Sequence, residues 1–114
     1  MYEPLTIEEL QLGRRMVLAV AGEVDLDSIE ELRTALAHAE ESQPKDVWID
    51  LTKVEFMDST GLTALALAHR HIDDPVRRLS LICPDGPVRR MLEISGIDRV
   101  MPVHASRDEA RDFN

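Results

Sequence analysis

Apolar residues recur along the chain with two different periods, and the switches between them predict the elements. Over residues 5–12, Leu5, Ile7, Leu10 and Leu12 come at short spacing, Gly13-Arg14 interrupts, and "RMVLAVAG" runs on to Gly22. That is the pattern of two strands joined by a turn. In "DSIEELRTALAHAEES" the period changes: Ile29, Leu32, Leu36 and Ala39 fall on one helical face. Ser28 followed three residues later by Glu31 reads as a capping box, so a helix is predicted over 28–41. Pro44 bars its extension. "DVWIDL" is then a short β-rich run, apolar on both faces, as expected of a buried parallel strand ending at Asp50-Leu51.

The alternation repeats. A helix is predicted over about 59–71, a strand at "RLSLIC", a helix over about 87–95 and a last strand at "RVMPV", which puts parallel strands near Val17, Val47, Leu79 and Val100. The 87–95 helix has clear punctuation: Pro87 suits its first turn, Val88, Met91, Leu92 and Ser95 share a face, and Gly96 is a left-handed stop over which Ile97 folds back. A second capping box, Ser106 with Glu109, opens a short polar helix over 106–113 with only Ala110 and Phe113 as apolar anchorage. The expected fold is a single α/β domain over 1–114, its core at about 5–104, with a mixed, mainly parallel sheet and alternating helices. Trp48 has no role at this level beyond packing.

Composition narrows the function. The 114 residues are enough for one core, and an apolar fraction of 44% beside 31% charged residues is that of a globular protein. A formal charge of -9 argues against a phosphate-backbone partner and against anionic membrane surfaces. The single Cys83 cannot form an internal disulfide, no leader pattern opens the chain, and the mainly apolar run over 62–68 is far too short to span a bilayer. A cytoplasmic location is expected.

Candidate chemistry is sparse. Glycines at 13, 22, 61, 86 and 96 assemble neither a dinucleotide fingerprint nor a phosphate loop, and His38, His69, His71 and His104 lack ligand spacing, so no cofactor or metal is expected. Cys83 reads as a small buried hydrophobe. The cluster Asp58-Ser59-Thr60-Gly61 stands out in "VEFMDSTGLTALALAHR". One reading makes it a helix start, with Ser59 as N-cap, Asp58 complementing the dipole and Thr60 and Gly61 in the first turn. A serine hydrolase reading fails on context, since neither a Gly-x-Ser-x-Gly elbow nor a triad is visible, and no enzyme is expected. Position raises the cluster above a plain helix start. It follows a strand and lies at the carboxyl edge of the sheet, where the "GEVD" turn also arrives, so Asp25 and Asp58 are expected to flank Ser59.

These residues also carry a resemblance. "VAGEVDLDS", "DLTKVEFMDSTGLTAL" and "LICPDGPVRRMLEISGIDRVMPV" resemble, in order and spacing, the STAS domain family, and specifically its stand-alone bacterial anti-sigma factor antagonists; the likeness runs from about residue 12 to residue 103. It implies phosphorylation of Ser59 by an anti-sigma factor that is itself a serine kinase of the histidine-kinase ATPase type, and a phosphatase that reverses it. It implies a partner-binding surface of Asp25, Asp58, Ser59, Thr60, Gly61 and Leu62. On physical grounds the near-chargeless run over 62–68 is expected to pack inward, leaving Ala64 or Leu67 for a partner. Unmodified, such a protein captures the anti-sigma factor and frees a sigma factor; phosphorylated, it lets go. The alternative within the family is a non-phosphorylated scaffold or accessory subunit, as in a lipid transporter or a stress-signalling complex.

Overall fold

In the computed structural model, residues 4–112 are described. Five strands form one sheet in the order β1-β2-β3-β4-β5: β1 (Thr6–Leu12), β2 (Arg15–Val24), β3 (Asp46–Met57), β4 (Arg78–Ile82) and β5 (Val103–His104). β1 is antiparallel to β2 and the remaining neighbours are parallel, so the α/β reading with one mixed, mainly parallel sheet holds. Helices α1 (Ile29–Ser42), α2 (Ser59–Ile72) and α3 (Pro87–Ser95) pack with the main core, and α4 (Arg107–Asp112) belongs to a smaller cluster.

Helix α1 buries the four residues its period marks, Ile29, Leu32, Leu36 and Ala39, the three larger ones each worth about 1.5–3 kcal/mol of transfer from water. Its cap differs from expectation. The Ser28 hydroxyl does not bond the first turn; it donates to the Glu23 carbonyl at 2.8 Å and accepts the Asp25 N–H at 3.0 Å. The serine therefore ties α1 to the end of β2, and Glu31 bonds only the Ser28 carbonyl through its own N–H, at 3.1 Å. Gln43 closes the helix in the left-handed region, just before Pro44.

Strand β3 is twice the expected length. It continues past Leu51 to Met57, and its pairing with β2 slips twice: Ala19 faces Asp50 but Ala21 faces Lys53, and Gly22 faces Val54 but Glu23 faces Phe56. Each slip inserts one extra β3 residue, a β-bulge. Buried positions in this half accordingly fall at Leu51, Val54 and Met57, three apart, a spacing that hides a strand from a search for alternation. β4 departs after Asp50 pairs with Ile82, so the far half of β3 projects beyond it.

At the other end of the chain the last strand is shorter than its apolar run predicts. Gly96, at φ 85°, stops α3 in the left-handed region and Ile97 is buried behind it. Residues 97–99 then form a 3-10 turn, Val100 is exposed, and β5 is reduced to Val103 and His104. Of the α3 face, Val88 and Leu92 are buried, Met91 is half-buried and Ser95 is exposed. Helix α4 starts at the Ser106 cap, whose hydroxyl accepts the Glu109 N–H at 3.1 Å while Glu109 reaches back to the Ala105 N–H. Ala110 is its one buried residue, and Phe113 lies outside the described residues.

Trp48 lies on the face of the sheet away from α1 and α2, with Val17, Ile82 and Ala110. The Arg15 guanidinium stacks 3.8 Å from the ring centroid and its Nε donates to Asp46 at 2.9 Å. The indole is thus sealed between the short helix and an anchored cation.

Candidate functional site

The bulged end of β3 delivers the cluster. Val24 pairs with Met57, so Asp25 and Asp58 each stand one residue beyond the same rung at the carboxyl edge of the sheet. The Asp58 N–H continues the ladder, donating to the Val24 carbonyl at 3.1 Å. That bond holds Asp58 extended, and its carboxylate accepts the Thr60 N–H at 2.9 Å and the Thr60 hydroxyl at 2.5 Å. Asp58, not Ser59, is the N-cap. The cap had to be chosen between two good capping residues, and the bond to β2 decides it.

Ser59 consequently occupies the first helical position, exposed, and its hydroxyl has no hydrogen bond among the described residues. It sits at the positive end of a 14-residue helix dipole with nothing structural to do. Phosphate added there would meet the Ser59 N–H, one of the orphan donors of the first turn, so the helix start can carry the modification without unfolding.

Asp25 has a different immediate task. Its Oδ1 accepts the N–H groups of Asp27 and Ser28, at 3.0 and 3.1 Å, with the Ser28 Oγ 3.2 Å away, folding the 25–28 loop on itself beside Asp58. Leu26, at the tip of that loop, is 73% exposed, and Phe56, two residues before Asp58, is 49% exposed. Sequence periodicity gave no reason to single out either one. The bulge before Phe56 turns it outward, and an isolated leucine in a polar loop carries no pattern.

Gly61 is buried rather than presented. A Cβ there would stand 2.6 Å from Met57 Cγ and 2.9 Å from Val24 Cγ1, so the glycine is what lets the first turn of α2 rest on the last rung of the sheet. Leu62 is half-buried and Ala64 is buried, whereas Leu67 is 42% exposed; of the two positions expected to be left for a partner, Leu67 alone is available. Thr63 lies between Ser59 and Leu67 on the same exposed side of the helix.

The remaining ionisable groups lie elsewhere. Burial pushes the Cys83 thiol up to about 11, against the pull of Arg89, whose guanidinium donates to the Cys83 carbonyl at 2.7 Å. Burial also opposes ionisation of Asp50. It is outweighed by the Thr52 hydroxyl and N–H and by the Arg107 guanidinium, and the carboxyl sits below its usual range. Among the described residues no group of three or more His, Cys, Asp or Glu side chains could hold a metal. Nor, among the described residues, is any helix long and apolar enough to cross a membrane.

A mixed α/β sheet whose carboxyl edge delivers a helix capped by Asp58, with Ser59 exposed at its first position, is the arrangement to be placed, and residues 6–110 match the model of the STAS domain: the chain belongs to that family. Its relatives include the anti-sigma-B factor antagonist of Staphylococcus aureus strain NCTC 8325, 26% identical over 100 residues, covering 88% of this chain and 93% of that one. The anti-sigma-F factor antagonist RsfB of Mycobacterium tuberculosis strain CDC 1551 is 29% identical over 94 residues, covering 82% of this chain and 76% of its own. Among solved structures, an anti-sigma factor antagonist from Mycobacterium paratuberculosis superposes with a TM-score of 0.90 at 25% identity, over 95% of this chain and 92% of the other. The phosphorylated form of the Bacillus cell fate determinant SpoIIAA shares the fold, with a TM-score of 0.70 at 23% identity over 94% and 97% of the two chains.

Proposed function

We propose that this protein is an anti-sigma factor antagonist of a partner switch: with Ser59 unmodified it binds an anti-sigma factor and a sigma factor is set free, and with Ser59 phosphorylated it releases that partner. The anti-sigma factor is the kinase, a phosphatase resets the switch, and the antagonist itself is a cytoplasmic binding protein without catalytic turnover. The observation that carries this reading is the division of labour at the start of α2. Asp58 supplies the cap, which leaves the neighbouring Ser59 hydroxyl exposed and unbonded.

Exposed Leu26, Phe56 and Leu67 offer apolar contact around that hydroxyl, and Asp25 and Asp58 supply negative charge beside it. A phosphate brings roughly -1.5 to -2 further charges into the same area. Moving a complex from nearly all bound to nearly all free takes about 5.5 kcal/mol of differential affinity. Desolvation of a dianion and its repulsion by two carboxylates, across an interface that had fitted a neutral hydroxyl, are of that order.

The test is a pull-down with the anti-sigma kinase in the presence of ATP. Ser59→Ala should stay bound throughout and Ser59→Asp should bind more weakly than wild type, though less weakly than the phosphorylated protein. Equal retention of wild type, Ser59→Ala and Ser59→Asp would remove Ser59 from the switch.

A further inference from the structure

The sheet has a second face, away from α1 and α2, and the strand registers lay it out as three rows. Leu10, Val17 and Trp48 form one row, Glu8, Ala19 and Asp50 the next, and Thr6, Ala21 and Lys53 the third. The first row belongs to the cluster closed by Ala110 of α4. Over the other two rows there is a cleft of about 660 Å³, because β2 contributes only Ala19 and Ala21 between the longer side chains of β1 and β3; Pro84, Ser106 and Arg107 complete its wall.

The charges in this cleft are not equivalent. The Asp50 side chain is nine-tenths buried and both its oxygens are engaged, one by Thr52 and the other by Arg107 Nε at 2.8 Å. The Arg107 side chain is itself 39% exposed, so the pair stays open to solvent on the cleft side. Here the pair fixes the Arg107 guanidinium in the wall while its two terminal nitrogens have no partner among the described residues. Lys53, exposed, also lines the cleft, and its ammonium has no partner among them either. Asp50 is already neutralised, so the uncommitted donors on the β3 side are cationic. Glu8, on the β1 side, would repel a second negative group. A small apolar floor with a few convergent polar groups is the usual form of a small-molecule site.

We infer that this cleft binds a small single-headed amphiphile, its carboxylate held by Lys53 and Arg107 and its short hydrocarbon lying over Ala19, Ala21 and Pro84. The site stands on the opposite face of the sheet from the helices that carry Ser59 and is independent of the partner switch.

Titration of the full-length protein with octanoate, followed by amide chemical shifts, tests it, with octanol and inorganic phosphate as control probes. Octanoate should give saturable shifts centred on Ala19, Ala21, Thr52, Lys53 and Arg107, about tenfold weaker in Lys53→Ala, the loss of one charge-assisted contact. Ala19→Leu, checked for folding by its melt, should fill the floor and abolish binding. The inference is overturned if octanoate gives no saturable shifts there, if octanol or phosphate alone reproduces them at equal strength, or if both variants bind octanoate as wild type does.

Discussion

Replacing Gly61 with alanine separates the packing of the switch helix from its chemistry. In an exposed helix interior this change stabilises by about 1 kcal/mol, because glycine has the larger conformational entropy to lose. Gly61 is buried, and its new Cβ would stand 2.6 Å from Met57 Cγ and 2.9 Å from Val24 Cγ1, inside any real carbon contact. Met57 and Val24 are themselves fully buried, and Cγ1 of a valine cannot swing aside without changing rotamer. Overpacking of this kind costs about 1–3 kcal/mol, and the upper half of that range applies when two neighbours must move. Subtracting the helical gain leaves a net loss of about 1–2 kcal/mol. For a domain of this size that lowers Tm by roughly 5–10 °C. Melts followed by far-ultraviolet circular dichroism measure the loss, and a cycle with Met57→Ala isolates its cause: that substitution alone costs about 2–5 kcal/mol, but the pair should be less destabilised than the sum by about 1 kcal/mol or more. A neutral or stabilising Gly61→Ala, with additive behaviour beside Met57→Ala, would refute the close packing of α2 on the last rung.

Three further outcomes follow from particular contacts. Because Asp58 is the cap, Asp58→Ala should cost about 0.5–2 kcal/mol in urea unfolding, while Ser59→Ala should change stability by no more than about 0.5 kcal/mol. The Asp50 carboxyl titrates below its ordinary value near 3.8 in the folded protein, so its stabilisation is present above that pH and is lost as pH falls through the folded value; wild type should therefore lose more stability than Asp50→Asn between about pH 5 and pH 3. Cys83, buried and raised to about 11, should resist a thiol-reactive disulfide reagent at pH 8 and react only on unfolding; fast labelling of the folded protein would show that the thiol is accessible.

What could be read from the sequence divides along physical lines. Helix α1 was legible because four apolar residues at helical spacing satisfy one buried face, and the end of α3 because Gly96 alone can take the left-handed turn. The second half of β3 was not, since two bulges place Leu51, Val54 and Met57 at intervals of three and erase the alternation. Val100 looked like a strand residue in an apolar run, but the 3-10 turn after Gly96 consumes that run before the chain reaches β4.

At the candidate site, composition located Asp58 and Ser59 together but could not assign the cap between them. That choice depends on the Val24 carbonyl, brought up by β2 from 34 positions upstream by residue number. Ser28 misled for a similar reason, since its hydroxyl had a better acceptor at Glu23 than the first turn of its own helix offered. The Asp50–Arg107 pair spans 57 residues, and Trp48 finds its cation on a different strand; nothing local announces either one.

In the proposed partner switch one phosphate, on Ser59, decides whether the partner stays. This dependence is tested most directly by incubating the purified protein with the anti-sigma kinase and ATP, mapping the added phosphate by mass spectrometry, and measuring the affinity of the modified and unmodified forms for the anti-sigma factor by titration calorimetry. Expected are a single phosphate on Ser59, none in Ser59→Ala, a folding stability within about 1 kcal/mol of the unmodified protein, and an affinity lowered by about 10⁴-fold, the equivalent of the 5.5 kcal/mol that a near-complete switch requires. Phosphate mapped to another residue, or a Ser59-phosphorylated protein that binds as tightly as the unmodified one, would contradict it.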